Sequence, residues 1–365
     1  MLSGVLAQGS HALPPMFRSL FAVCLAILLV EGVAPLSEGP RLPWDRLPSL
    51  DFASAQDPIG SRTVPSAEHH EAAQSETLLR VLTYNVAGLP SWLSQARPDR
   101  DSATIGARLA PFDIVLLQED FSYHEEIAAA AAHPHASAPR RGRLRFFGDG
   151  LGRFSKLPMG LRHRVSWSSC HGVLGSYSDC LARKGCSIAV HRVLGEKLYV
   201  VNLHLDAGRA GADRSARQRQ LDQLCDELAR LPAGAALVVA GDFNLEMQEP
   251  LDRALYRDLL RRTGLSDAVH SLGVEDEHID RIAYRSGARL EISVLSAGQA
   301  QGFEHANGVP LSDHPAIQAE LHICRVRGQA APRAAAQLNS PRMYSLVRSS
   351  LGFSKSSCVS PSSTR

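Results

Sequence analysis

Eight polar residues stand where apolar runs stop. Asn85 follows VLTY, Glu119 follows DIVLLQ, His204 follows YVVNL, and Asp242 and Asn244 follow LVVAG. Asp280 opens DRIAY, and Asp313 and His314 precede the final run PAIQAELHI. A carboxylate at the edge of an apolar core is costly unless it is paired or binds a cation. Singly, each residue reads as a turn, a cap or a hydrogen-bonded histidine. Repeated at strand ends on one sheet edge, they line a cleft. Glu119 and Asp313 are hard oxygen ligands and Asn85 adds an amide oxygen, a set suited to Mg²⁺ or Mn²⁺ more than to zinc. His204 and His314 can move protons or stabilise a phosphate near neutral pH. Asp242 can position or protonate a leaving oxygen, and Asn244 can hold an anionic oxygen through its NH₂. Together they point to metal-assisted hydrolysis of a phosphate ester.

These residues need strands to carry them. LLRVLTYNVAG, LRHRVSW, CSIAVHRV, KLYVVNLHL, ALVVAGDFN, DRIAYRS, RLRFFG and PAIQAELHI read as strands, and the continuous apolar run DIVLLQE reads as one buried on both faces. Helices are predicted near 101–110, over the Ala-rich YHEEIAAAAAH, over 213–231 and around 250–262. In the third, Leu221, Leu224, Cys225 and Leu228 share one face. Strands outnumber helices, and helices separate only some of them. That pattern favours packed sheets with helices outside over a simple doubly wound sheet.

The 365 residues are 44% hydrophobic and 21% charged, enough for one or two domains with a sizeable core. The formal net charge is +2, but residues 76–324 carry about −2, while the segment from 325 on has seven Lys or Arg and no acid. Net charge therefore lends no support to extensive phosphate binding by the core. Residues 1–34 hold Arg18 and the run SLFAVCLAILLV, which fits a signal peptide ahead of export, or an N-terminal membrane anchor; Met16 is an alternative start. Residues 35–76 read as a flexible linker or pro-segment, 77–324 as the folded domain, and 325–365 as a disordered basic tail. Cys170 and Cys180 flank the polar stretch HGVLGSYSD, either as a disulfide in an oxidising compartment or as two thiols. Cys186 and Cys225 read as packed thiols.

TYNVAGLP, LLQED, NLHLDAG, GDFN, HIDRIAY and SDHPAI occur in the order found in the endonuclease/exonuclease/phosphatase superfamily. The chain resembles that superfamily over about residues 78–323. It is most similar to its secreted neutral sphingomyelinase-like phosphodiesterases, through GDGLGRFSKLP, SSCHGVLGSYSDCLARKG, and NLHLDAG followed by DRSARQRQLDQL. His204 points the same way. Ala87 replaces an Asp carried by apurinic endonucleases, and Arg281 replaces the aromatic or apolar residue that many members have there.

The resemblance implies a four-layer α/β/β/α sandwich of two packed mixed β-sheets flanked by helices. It implies Glu119 as the main Mg²⁺ ligand, with Asn85 and Asp313 at or beside the metal. His314 would be the general base, oriented by Asp280; Asp242 would act on the leaving group, Asn244 would fix the phosphate, and His204 would stabilise the transition state. The substrate expected is a phospholipid or other phosphodiester, with membrane-surface contact through the loop around Trp92. An extracellular deoxyribonuclease-like endonuclease and a non-catalytic binding protein on the same scaffold are the alternatives. No protein partner is indicated.

Overall fold

The computed structural model describes residues 75–91, 96–140, 148–172, 180 and 182–326, with the backbone alone at 161 and 162. The N-terminal apolar run, the segment after it, the basic tail, Trp92 and nearly all of RLRFFG lie outside the described residues.

One sheet comprises β1 (Glu76–Asn85), β2 (Ile114–Gln118), β3 (His135–Ser137), β4 (Gly152–Ser155), β11 (Leu290–Gln299) and β12 (Ile317–Arg325), ordered β11-β12-β1-β2-β4-β3. The other comprises β5 (Met159–Ser166), β6 (Gly185–Val193), β7 (Glu196–His204), β8 (Ala236–Asp242), β9 (Ser266–Asp267) and β10 (Asp280–Arg285), ordered β5-β6-β7-β8-β10-β9. The helices are α1 (Pro98–Arg108) between β1 and β2, α2 (His124–Ala130) after β2, α3 (Gly211–Ala229) between β7 and β8, and α4 (Pro250–Thr263) after β8. The pairs β1/β2 and β7/β8 are parallel, each bridged by a helix as parallel neighbours require. The remaining neighbours are antiparallel. The two sheets therefore share one topology, with β1 and β2 corresponding to β7 and β8.

Alternation along each strand separates the layers. Leu79, Val81, Ile114 and Leu116 meet Leu198, Val200, Val238 and Ala240 between the sheets. On the outer face of the first sheet, Leu82, Tyr84, Val115 and Leu117 pack with Ile105, Leu109 and Ile127. On the other outer face, Tyr199, Val201, Leu237 and Val239 pack with Leu221, Leu224, Leu228 and Tyr256. The result is the α/β/β/α sandwich expected from the sequence. Each fully buried Leu or Val contributes roughly 1.5–3 kcal/mol. A one-residue slip of β1 would exchange its two faces, so the register is strongly specified.

Some elements differ from the sequence reading. β3, β4, β11 and the two-residue β9 were not anticipated. The first two have three and four residues, too short to show a period. β11 has a mostly exposed or half-buried pattern and an irregularity between Val294 and Ser296. The Ala-rich helix stops at Ala130, because Ala131 is extended and Pro134 follows. Among the described residues, no helix is long and apolar enough to cross a membrane.

Candidate active site

The face of each central strand that builds the inter-sheet core turns polar at one end. On β1 the inward series Leu79, Val81 continues to Thr83 and Asn85; on β2, Ile114 and Leu116 lead to Gln118. On β7, Leu198 and Val200 lead to Asn202 and His204, and on β8, Val238 and Ala240 lead to Asp242. Cross-strand register then aligns these ends. His204 sits opposite Asp242, Asp242 opposite Asp280, and Asn85 opposite Gln118. The same periodicity that buries the apolar side chains thus delivers the polar ones to one edge.

Polar contacts close that edge from sheet to sheet. Asn85 Nδ2 donates to Asp242 Oδ2 at 3.1 Å. His314 Nδ1 lies 2.7 Å from Asp280 Oδ2, and its Nε2 lies 4.0 Å from Asp242 Oδ2. His204 Nε2 is 3.3 Å from Asp242 Oδ2 and 3.9 Å from Glu119 Oε1. Beneath them, Gln118 Nε2 donates to Asn202 Oδ1 at 2.6 Å, and Asn202 Nδ2 donates to the carbonyls of Leu117 and Gly152. Gln118 and Asn202 were not singled out in the sequence. Their signal was available: each lies on the inward face, and Asn202 stands two residues before His204.

Backbone strain gathers at the same strand ends. Ala87, Glu119 and Asn244 have positive φ (47°, 52° and 49°), a conformation that side-chain-bearing residues adopt at a cost. The Glu119 turn is held where Gly88 N–H donates to the Glu119 carbonyl at 3.0 Å. Asn244 is held by its N–H to Asp242 Oδ1 at 2.9 Å and by its NH₂ to the Leu205 carbonyl at 3.1 Å. Gly241 is required by contact as well as by its φ of 149°, since a Cβ there would lie 2.0 Å from the Leu203 carbonyl oxygen. The glycine of GDFN lets β8 approach β7 closely enough for Asp242 to reach His204.

The site residues divide by environment. Asp242, Asp280 and His204 are buried; His314 is half-buried, and Asp313 is exposed beside it. Burial would raise the Asp242 carboxyl, but the charge and hydrogen bond of His204, then His314 and Lys184, hold it well below the usual carboxylate range. Burial and the neighbouring Asp242 push Asp280 up to about 7, against the lowering from His314. Burial would depress the His314 imidazole, yet the hydrogen bond and charge of Asp280, with Asp242 and Asp313 nearby, push it up to about 10.

The oxygen-rich donor set fits a hard divalent cation. One ligand atom each from Asp242, Asp280 and His314 lies within 4.8 Å of the others. Those three already engage one another, whereas the Glu119 carboxylate is a quarter exposed and its 3.9 Å separation from His204 exceeds a hydrogen bond. Asn85 turns its NH₂ to Asp242, while its Oδ1 accepts the Ala87 N–H at 3.1 Å. All eight residues expected from the sequence lie at or beside this edge.

Arg281 points the opposite way from Asp280. Its Nε donates to Asp267 at 2.9 Å, its Nη1 to the Asp276 and His278 carbonyls, and its guanidinium lies over the Tyr256 ring. The departure from the family pattern at this position is thus absorbed on the outer face of the sheet.

Cys170 and Cys180 form a disulfide. The residues around Cys170 are tied to α3 and to the loop after His204. His171 N–H donates to Asp206 at 2.7 Å, its ring lies 2.5 Å from Asp213, and Gln220 bridges the Ser169 carbonyl and the Asp206 N–H. The disulfide loop therefore starts beside the cleft. Cys186 and Cys225 are buried thiols pushed up by burial.

A model of the endonuclease/exonuclease/phosphatase family matches residues 82–314. A sphingomyelinase of Mycobacterium tuberculosis is 32% identical over 262 residues, covering 65% of this chain and 51% of that protein. The chain spans about half the length of the curated sphingomyelinase it matches there. Among solved structures, a Staphylococcus aureus beta toxin with bound magnesium ions superposes with a TM-score of 0.51 at 17% identity, covering 67% of this chain and 99% of that one. A D. rerio TDP2 complexed with a single-strand DNA product gives 0.54 at 19% identity, with coverage of 67% and 99%. These two likenesses concern the fold.

Proposed function

The chain belongs to the endonuclease/exonuclease/phosphatase family, and on that premise we propose that it is a secreted Mg²⁺-dependent phosphodiesterase acting on sphingomyelin or a related phospholipid. The observation that carries this reading is the junction at Asp242, which faces His204, Asn85 and the His314–Asp280 pair at once. Such a junction offers a proton acceptor and anion-stabilising donors within one small volume.

In this reading His314 Nε2 takes the proton of the attacking water, while Nδ1–H donates to Asp280, which fixes the tautomer and the ring. His204 and the second N–H of the Asn244 amide stabilise charge on the phosphate oxygens. Asp242, held ionised, acts by positioning rather than by donating a proton. Glu119, Asn85 and Asp313 would hold Mg²⁺ or Mn²⁺. The cation supplies charge neutralisation at the phosphate and lowers the pKa of bound water. Asp280, Asp242 and Asp313 raise the His314 imidazole, a pull that a bound cation would offset.

The choice of lipid rests on the likeness to the M. tuberculosis sphingomyelinase, and the choice of Mg²⁺ on the donor set and the magnesium-bearing beta toxin. Export rests on the N-terminal apolar run and on the disulfide, which suits an oxidising compartment. Membrane-surface contact through the Trp92 loop belongs to the same reading. A nuclease is the second reading, favoured by the fold likeness to TDP2 with DNA product. The charge of about −2 over residues 76–324 gives it no general attraction for nucleic acid.

The discriminating experiment gives purified full-length protein sphingomyelin vesicles, phosphatidylcholine vesicles and supercoiled plasmid in parallel, with Mg²⁺ and with EDTA. Mg²⁺-dependent phosphocholine release from sphingomyelin is expected. Plasmid nicking without lipid cleavage would replace the lipid reading with the nuclease. Inactivity on all three, together with no Mg²⁺ binding by calorimetry, would favour a non-catalytic binding protein.

A further inference from the structure

At the far end of the first sheet a second group of ligating side chains meets, independent of the proposed hydrolysis. Glu76 opens β1 and sits directly across from Cys324 near the end of β12, and His322 lies two residues before Cys324. Alternation puts all three on one face of the sheet. His322 Nε2 lies 3.1 Å from Glu76 Oε2 and 3.8 Å from Cys324 Sγ, and Cys324 Sγ lies 4.0 Å from the same Glu76 oxygen. From Glu76 to Asn85 is nine strand steps, or roughly 30 Å, so this cluster is separate from the cleft.

We propose that Glu76, His322 and Cys324 form a binding site for a borderline-soft divalent cation, Zn²⁺ by preference. The donor types decide the metal. Thiolate, imidazole and carboxylate are the three zinc ligands, and a thiolate excludes Mg²⁺ and Ca²⁺ as the intended occupant. The spacing fits as well. Bonds of about 2.0–2.3 Å at tetrahedral angles put ligand atoms about 3.3–3.6 Å apart, and the three observed separations lie within about half an ångström of that range. Small side-chain rotations close the difference. The setting is partly dry: Cys324 is 5% exposed, while the His322 and Glu76 side chains are 26% and 65% exposed. Glu291 on β11 stands across from Cys324 in register and is exposed, but its carboxylate is not among the ligand atoms that lie together, so the fourth position is left to water. Bound metal would fasten the start of β1 to the end of β12.

The test is Co²⁺ titration of reduced full-length protein in excess Mg²⁺, followed by Zn²⁺ competition. One Co²⁺ per chain with a thiolate-to-cobalt charge-transfer band is expected, with displacement by Zn²⁺. Cys324→Ser should abolish the band, and His322→Ala and Glu76→Gln should each weaken binding at least tenfold. His314→Ala should leave the band intact, and Cys324→Ser should leave lipid hydrolysis unchanged. Absence of the band, or a band that survives in Cys324→Ser, would overturn the proposal. So would Zn²⁺ affinity equal in wild type and His322→Ala, with circular dichroism showing both folded.

Discussion

His314 and Asp280 come from opposite sheets and meet through a 2.7 Å contact between Nδ1 and Oδ2. His314 precedes the last strand of the first sheet, and Asp280 opens β10 of the second. The contact leaves Nε2 facing the junction at Asp242. A carboxylate holds one ring nitrogen, and the other faces the cleft beside Asn85 Nδ2 at 3.5 Å, the side on which a general base takes its proton.

If Asp280 orients His314 without touching substrate, the two positions should respond differently to substitution. His314→Ala is expected to lower turnover by about 10²–10⁴-fold with little change in KM. Asp280→Asn should lower turnover less and move the acidic limb of the pH–rate profile to lower pH, because the imidazole loses its carboxylate. Steady-state kinetics of both variants across pH would check this. An unshifted profile in Asp280→Asn would remove Asp280 from the positioning role.

Metal-free protein should lose stability as the pH rises from about 7 to 10. His314 is raised above its unfolded value, so its contribution is complete below about 6.5 and is lost as pH climbs through about 10. Asp280, also raised, to about 7, contributes fully below about 3.8, loses that contribution as the pH climbs through about 7, and adds no further change above it. Urea unfolding with EDTA at pH 7, 8.5 and 10 would show a falling midpoint, and His314→Ala should flatten the trend. With Mg²⁺ bound, the His314 imidazole resonance should titrate at lower pH than in EDTA.

The layer beneath the site should be sensitive to loss of its amides. Asn202→Leu takes away the amide that donates to the Leu117 and Gly152 carbonyls, and one acceptor of the Gln118 NH₂, which keeps Thr83 Oγ1 and the Leu116 carbonyl. Each buried unsatisfied group costs about 1–3 kcal/mol. A destabilisation of about 2–4 kcal/mol is expected from urea unfolding. A change below about 0.5 kcal/mol would mean that the network does not hold the sheets together at this edge.

Gly241→Ala should be harsher than an ordinary glycine substitution. The added Cβ would meet the Leu203 carbonyl oxygen at 2.0 Å, a backbone atom with no rotamer to give way. Either β8 separates from β7 or the chain fails to fold, and a thermal melt distinguishes both from the tolerated case. A melting temperature equal to wild type would show that the strands accept the displacement.

Much of this site was legible because polarity and periodicity conflict in the sequence. Asp242 after LVVAG and His204 after YVVNL break apolar runs at their ends, and each proved to lie at the sheet edge. Gln118 and Asn202 were harder to see. An amide between two apolar neighbours resembles any half-buried strand position, and only the second sheet opposite gives it a partner. The same limit hid β3 and β4, whose few residues carry no period of their own and pair only because β2 is already in place. The pairing of Glu76 with Cys324 joins residues 248 apart in the chain, and no local pattern connects them.

In the proposed reading Glu119, Asp242, Asp280 and His314 act as one metal-dependent hydrolytic centre. The most direct measurement is Mg²⁺-titrated phosphocholine release from sphingomyelin vesicles by wild type, Glu119→Gln and His314→Ala at equal concentration. Wild type should show saturable, EDTA-reversible release, Glu119→Gln a much weakened response to Mg²⁺, and His314→Ala near-background release. Folded variants that release phosphocholine as fast as wild type at every Mg²⁺ concentration would contradict that reading.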